Sequence, residues 1–270
     1  MINIAIVFTG QLENVENIRN NNPSLYKIPF VSDNYKIDFY TSTWDDVYKK
    51  TKKALESDEI KETVGKKIIT STRDELYEFF DTDETHKYLE RYIKKQTPPD
   101  HIVYEEEYQM HYKFVCDRLY SQFYLMWKFL DSHSGEHDIY IKLRPDTNLN
   151  HVDMSEYIDV LMGCLCMKKD SRFNTTFLEW FDFQNIESAQ KEKLVHIKTM
   201  FYTNQIGFMK DQFFAFNKSK SSDLKNKIHR LSNITNKLDK LGSVVGESLW
   251  FECLTQDSYV VNDDYVESII

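Results

Sequence analysis

From Ile2 to Phe8 the chain is apolar at every position but Asn3, and it then runs at once into Thr9-Gly10-Gln11. A short, nearly continuous apolar run fits a strand covered on both faces, as in a parallel sheet between helices. A second strand is expected at Tyr35-Lys-Ile-Asp-Phe-Tyr40, leading through Thr41-Ser-Thr-Trp-Asp-Asp46 into a lysine-rich helix over about residues 45 to 57. A short strand near 67 to 70 follows. Strand, turn, helix and strand in that order describe a nucleotide-binding βαβ unit. At 270 residues the chain has room for one such domain, or for a core of that kind with a smaller appended part.

Thr72-x-x-Glu75 is a capping box that starts a helix bearing Leu76, Phe79 and Phe80. The next helix carries Tyr88, Leu89, Tyr92 and Ile93 and stops before Pro98-Pro99. A strand is expected around 101 to 104. The strongest helical pattern runs from about 112 to 130, with Val115, Leu119, Phe123, Met126, Trp127 and Leu130 on one face. After it comes the strand Ile139 to Leu143, where apolar positions alternate with Tyr140 and Lys142 before Arg144-Pro-Asp146. Beyond Asn150 the pattern is less regular. Strands are expected near 161 to 167, 177 to 183 and 207 to 216, helices over 221 to 231 and 246 to 255, and a last short strand near 259 to 261.

Charge and cysteine usage exclude several functions. The net charge of -9 and the lack of a basic stripe argue against nucleic acid as a partner. The densest basic run, Lys49, Lys50, Lys52 and Lys53, is flanked by Asp45, Asp46, Glu56 and Asp58 and reads as a solvated helix face. The four cysteines form no C-x-x-C, and no histidine is spaced with them as a zinc site requires. Cys164 and Cys166 alternate within an apolar run and are expected as buried strand thiols, which fits a reducing, cytoplasmic setting. The apolar N-terminal run is too short for a signal peptide, and no stretch reaches transmembrane length. Neither H-E-x-x-H, G-x-S-x-G, a P-loop nor a complete Rossmann fingerprint occurs, which weighs against hydrolase, ATPase and dehydrogenase chemistry.

Arg144-Pro-Asp146 stands where ligands gather in open α/β sheets, beyond the carboxyl end of a strand. A carboxylate there holds a divalent cation and a neighbouring arginine neutralises phosphate; equally, an Arg–Asp pair fixes a tight proline turn. These three residues alone leave both readings open. Thr9-Gly10-Gln11 offers backbone N–H groups to a phosphate or is simply a strand-end turn. Trp44 stacks on a ligand ring or belongs to the core. The literal Asp-x-Asp at Asp81-Thr-Asp83 falls between two helices, where Thr82 or Asp83 serves as an N-cap. Asp263-Asp264 reads as a solvated turn.

The strand and loop Asp138-Ile-Tyr-Ile-Lys-Leu-Arg-Pro-Asp146 resemble the "YD-x-h-I-R-x-R-x-D" segment of GT-A-type glycosyltransferases of large DNA viruses and bacterial polysaccharide clusters. Ile4-Ala-Ile-Val-Phe-Thr-Gly-Gln11 is similar to the first strand of that family and its nucleotide-contacting turn. Ile37-Asp-Phe-Tyr-Thr-Ser-Thr-Trp44 resembles its second strand. Tyr120-Ser-Gln-Phe123, Lys210-Asp-Gln-Phe-Phe-Ala-Phe216 and Gly246-Glu-Ser-Leu-Trp250 resemble later segments, in the same order. The chain departs from the pattern at Leu12-Glu13, where many relatives carry an arginine, and its loop offers one carboxylate rather than two.

The resemblance implies a GT-A-like, Rossmann-like three-layer α/β/α sandwich on a mixed, mainly parallel sheet. It implies one domain over 1–270, with a nucleotide-sugar donor half to about residue 150 and an acceptor half over about 151–270. A sugar would pass from a nucleotide-sugar to a hydroxyl of a glycan, lipid or glycoprotein, in the cytoplasm or, for a viral protein, the host cytoplasm. Thr9, Gly10, Gln11, Thr43, Trp44, Arg118, Gln122, Arg144 and Asp146 would bind the donor, and Asp146 would also hold Mn²⁺ or Mg²⁺. Asp211 is the expected base, with Glu247 the second candidate; an Asp in a strand-edge turn and a Glu favoured by a helix dipole are the competing readings. Two alternatives are a non-catalytic nucleotide- or carbohydrate-binding module and a sugar-phosphate nucleotidyltransferase. Thr9 to Arg19 lacks the glycine-rich, basic signature that the latter requires.

Overall fold

A computed structural model of the protein describes residues 1–12, 33–56, 58–145, 147, 154–166, 194–197, 200–203, 206–209, 213–242, 244–255 and 259–262. The first strand, β1 (Ile2–Thr9), is buried almost throughout, as its apolar run requires. It pairs in parallel with β2 (Tyr35–Trp44) on one side and with β4 (Ile139–Leu143) on the other. β3 (Ile68–Ser71) adds to β2, also in parallel. β8 (Phe213–Asn217) then joins β4 antiparallel, and β5 (Leu194–Ile197) and β9 (Tyr259–Asn262) extend the sheet beyond it. The order is β3-β2-β1-β4-β8-β5-β9, a mixed and mainly parallel sheet. A separate ribbon pairs β6 (Met200–Thr203) with β7 (Ile206–Met209).

Strand alternation assigns the helices to faces. Between β2 and β3 lie α1 (Asp45–Leu55) and the single turn α2 (Asp58–Lys61). Thr41 Oγ1 donates to Val64 O at 2.6 Å, so this segment covers the Thr41 face. The neighbouring Ser42 points the other way and donates to Leu125 O at 2.7 Å, on α6 (Ser121–His133). Tyr140, also on that face, donates to His133 O at the end of the same helix. On the opposite face Phe213 packs against Tyr157 of α7 (Met154–Cys166), with ring centroids 4.9 Å apart. The result is three layers, α/β/α, with the sheet in the middle.

Between β3 and α6 the chain forms a helical excursion: α3 (Arg73–Phe79), α4 (Asp83–Gln96) and α5 (Glu105–Val115). Both expected caps are present. Thr72 and Glu75 close the capping box at α3, and the Thr82 side chain accepts from Thr85 N at α4. α5 passes into α6 through a π turn, Cys116–Tyr120, so the long helix predicted from 112 to 130 extends in both directions and carries an irregularity at its centre. The C-terminal helices are α8 (Lys218–His229), α9 (Leu231–Lys240) and α10 (Gly246–Thr255). α9 packs on α4 through Arg91, whose guanidinium bonds Asp239 and Asn236.

Several expected elements differ. Residues 101 to 104 form no strand; they are extended chain leading into α5, with Ile102 and Tyr104 exposed. The segment 161 to 166 is the end of helix α7 rather than a strand, so Cys164 and Cys166 are helical residues. The single strand expected over 207 to 216 is two, β7 and β8, in different sheets. The strand expected at 177 to 183 lies outside the described residues.

Candidate functional site

The strand order 3-2-1-4 reverses its sequence at β1, so the carboxyl ends of β1 and β4 lie side by side at the point where the order switches. In open α/β sheets that crevice is where ligands bind. Thr9-Gly10-Gln11 forms one wall and Arg144-Pro145 the other. Gly10 has φ of +132°, and a Cβ placed on it would lie 3.4 Å from Pro145 Cδ. The two loops therefore touch, and glycine permits both the backbone turn and the approach. Gly10 N donates to Ser42 O at 3.3 Å, and Thr43 Oγ1 donates to Gly10 O at 2.9 Å, which fastens the turn to β2. Thr9 Oγ1 is buried and meets no hydrogen-bond partner among the described residues. A buried hydroxyl in that state is a group that a ligand or an ordered water would satisfy.

The antiparallel strand brings a fourth contributor to this edge. Leu143, the last residue of β4, is the register partner of Phe213, the first of β8. One residue inward, Lys142 pairs with Val7 on β1 and Phe214 on β8. Lys142 is fully buried, on the α6 face. Its Nζ donates to Gln122 Oε1 at 3.0 Å. The ammonium also stands 5.4 Å from the Trp250 ring centroid and 5.5 Å from that of Phe214. Trp250 in turn stacks on Phe123 at 3.9 Å. The sequence singles out Gln122 but not Lys142; alternation within the strand suggests a solvent-facing lysine, and the covering helices make it a buried one.

α10 is aligned with this edge. Trp250 lies beside Lys142, whereas Cys253, one turn later, is pushed up to about 12 by burial against the pull of Lys227 and Lys220. Lys220 begins α8, just after β8 ends at the opposite edge, where Asn217 pairs with Ile139. The helix thus runs away from the crevice, and its N-terminal turn, with exposed Glu247, stands on the crevice side. Its positive dipole end favours an anion there.

Other expected donor residues lie elsewhere. Trp44 is 1% exposed, parallel to Tyr124 at 6.2 Å and covered by the Arg73 guanidinium 4.0 Å above its ring. Its faces are occupied by the protein, so it is a core residue rather than a base-stacking platform. Arg73 is itself held by Asp117 at 2.8 Å. Arg118 is exposed on the π turn, its guanidinium 5.6 Å from the Phe114 ring, on a helix flank that faces solvent. Gln11 is exposed beside the crevice. Asp146 and Asp211 lie outside the described residues. Among the described residues no group of three or more His, Cys, Asp or Glu is placed to hold a metal ion. Lys142, Arg144, Gln122, Thr9 and Thr43 at this edge are cations and neutral polar groups, and such groups suit phosphate oxygens.

At the opposite edge a second polar cluster joins the strand starts. Lys67 Nζ donates to Asp38 Oδ1 at 3.2 Å and to Tyr40 OH at 3.0 Å, and His137 Nε2 lies 3.4 Å from Asp38 Oδ2. Asp138, which heads the motif strand, accepts from Asn3 N at 2.9 Å and ties β4 to β1. This end of the segment is structural; its other end faces the crevice.

No family model and no curated protein sequence matches the chain. Among solved structures it is similar to mouse xyloside xylosyltransferase 1, apo form, at 12% identity and a TM-score of 0.41, over 96% of this chain and 84% of that one. It is also similar to the glycosyltransferase GlyE of Streptococcus pneumoniae TIGR4, at 10% identity and a TM-score of 0.36, over 98% of this chain and 46% of that one. The chain thus spans less than half the length of the latter. Likenesses this distant assign no residue, and neither bears on the viral and polysaccharide-cluster resemblance. Among the described residues no helix is long and apolar enough to cross a membrane.

Proposed function

We propose that the protein is a nucleotide-sugar-dependent glycosyltransferase of GT-A-like fold, with its donor site in the crevice between β1 and β4. One observation carries this reading: Leu143 and Phe213 are register partners at the crevice edge. Asp146 follows the first by three residues in the sequence and Asp211 precedes the second by two, and this nearness along the chain supports both as proposed site carboxylates. Sugar transfer needs the leaving diphosphate stabilised, the two substrates oriented, and in an inverting enzyme a carboxylate to take the acceptor proton. Arg144 and the α10 N-terminus serve the first need, and the Gly10 turn serves the second. Asp211 is proposed as the base and Glu247 as the second candidate.

The acceptor is proposed to be a hydroxyl on a glycan, lipid or glycoprotein, and the working compartment the cytoplasm. Asp146 is the proposed ligand for Mn²⁺ or Mg²⁺. Titration of the purified chain with a panel of nucleotide-sugars, with and without Mn²⁺, tests the reading. Binding followed by donor hydrolysis or transfer is expected. Binding to none of the panel would sink it, and binding without turnover across a broad acceptor panel would favour a non-catalytic module.

A further inference from the structure

We infer that the outward face of α5 is a self-complementary contact, on which two copies of this chain pair with their α5 helices antiparallel across a two-fold axis. α5 turns Tyr112 and Val115 into the protein, where both are buried. Its other side carries Met110, 61% exposed, and Phe114, 43% exposed, one turn apart. Ile102 and Tyr104, each 70% exposed, stand just ahead of its first turn. Four of the seven large hydrophobic side chains that the described residues expose thus fall between positions 102 and 114. Single exposed apolar residues are ordinary, but a run of them at one element marks a surface that meets something.

The charges on this face select a second copy as its occupant. Glu106, Met110, Phe114 and Arg118 form one ridge at a spacing of four residues. The π turn keeps the last of them in line, with the Arg118 guanidinium 5.6 Å from the Phe114 ring centroid. The ridge reads acid, apolar, apolar, base, and it is symmetric about position 112. Laid antiparallel on its own copy, Glu106 meets the partner's Arg118 and Met110 meets the partner's Phe114, and the two-fold axis makes each pair occur twice. Ridges of this spacing interdigitate in the commonest class of helix packing. Glu106 and Arg118 are both exposed, and neither forms an ion pair among the described residues. Asp117, the carboxylate beside Arg118, is already held by Arg73 and Tyr77. An anionic lipid surface would be repelled by Glu105, Glu106 and Glu107 in the first turn. The ridge is only about 18 Å long, so the contact is small and its affinity belongs in the micromolar range.

Sedimentation velocity on the full chain, across a micromolar concentration series, is expected to show a mass that rises from the 32.3 kDa of one copy toward twice that. Met110→Glu and Phe114→Glu each set a carboxylate in the seam and should stay monomeric throughout the series. Both should melt within about 2 °C of the wild type, since the two positions are exposed. Charge reversal then tests the pairing itself. Glu106→Arg alone and Arg118→Glu alone should each weaken association at least about fivefold, and the double variant should return to within about twofold of the wild type. A merely structural role for either residue would not produce that recovery. A wild type that remains monomeric throughout would overturn the inference. So would association that Met110→Glu and Phe114→Glu leave intact, or a double charge reversal that stays as weak as the single ones. A monomer that instead binds phosphatidylcholine vesicles through Met110 and Phe114 would overturn it in favour of a lipid surface.

Discussion

Gly10 and Pro145 meet across the crevice between β1 and β4, close enough that a Cβ on the glycine would stand 3.4 Å from the proline ring. That distance is tolerable, but the φ of +132° is not a conformation for an L-residue with a side chain. Gly10→Ala should therefore cost about 1–3 kcal/mol through backbone strain, measurable as a lower urea midpoint. Because the same turn abuts the Arg144 loop, donor turnover should fall by about tenfold or more under conditions where the variant is fully folded. An unshifted midpoint would show that the turn relaxes without cost.

Asp146→Ala removes the only carboxylate of the Arg144-Pro-Asp146 loop. The variant should keep the wild-type melting profile and lose donor turnover. Full activity in the variant would take this loop out of the mechanism.

The Thr72–Glu75 box satisfies two backbone donors at the start of α3, with Thr72 Oγ1 accepting from Glu75 N at 3.2 Å and Glu75 Oε2 from Thr72 N at 2.9 Å. Thr72→Ala should cost about 1 kcal/mol, read from urea unfolding with an unchanged slope. The cap bonds only backbone of its own helix, so donor turnover under folding conditions should change far less than stability.

Acid should destabilise the protein through the cluster at the opposite sheet edge. Burial lowers the pKa of His137 from its ordinary 6.5, outweighing the pull of Asp38. For Asp38, burial is outweighed by the hydrogen bond and charge of Lys67 and by the bonds from Lys36 and His137, which leaves its carboxyl below 3.8. Both groups thus bind protons less readily when folded. Their stabilisation is complete above the ordinary values and is lost as pH falls through the folded ones, first for His137 and then for Asp38. The urea midpoint should decline from pH 7 to pH 5, and His137→Gln should flatten that decline. Equal slopes in the two proteins would assign it to other groups.

Which parts of the fold were readable depended on how ambiguous the local pattern was. β1 and β4 are short apolar runs closed by glycine and proline turns, and the structure places them as the two central parallel strands. The sequence suggests a strand at the end of α7 because Leu161 to Met167 is an unbroken apolar run, a pattern that a short helix segment and a strand share. The stretch 101 to 104 has β-branched and aromatic residues, but among the described residues no strand pairs with it. The burial of Lys142 is illegible in the sequence for a related reason: alternation signals exposure only where one face of a sheet is open, and β4 is buried at every position. An isolated Trp such as Trp44 reads as core by default, and its burial between Tyr124 and the Arg73 guanidinium agrees with that reading.

The π turn at Cys116–Tyr120 fits one extra residue into a helix that is otherwise α-helical on both sides. An inserted residue advances everything after it by about 100° around the axis. It lets α5 direct Tyr112 and Val115 inward to the helical excursion while α6 turns Gln122 and Phe123 toward the strand that carries Lys142. The two ends of one continuous rod are thereby indexed to different partners, and the chain's residue count between them becomes a fixed dimension of the molecule.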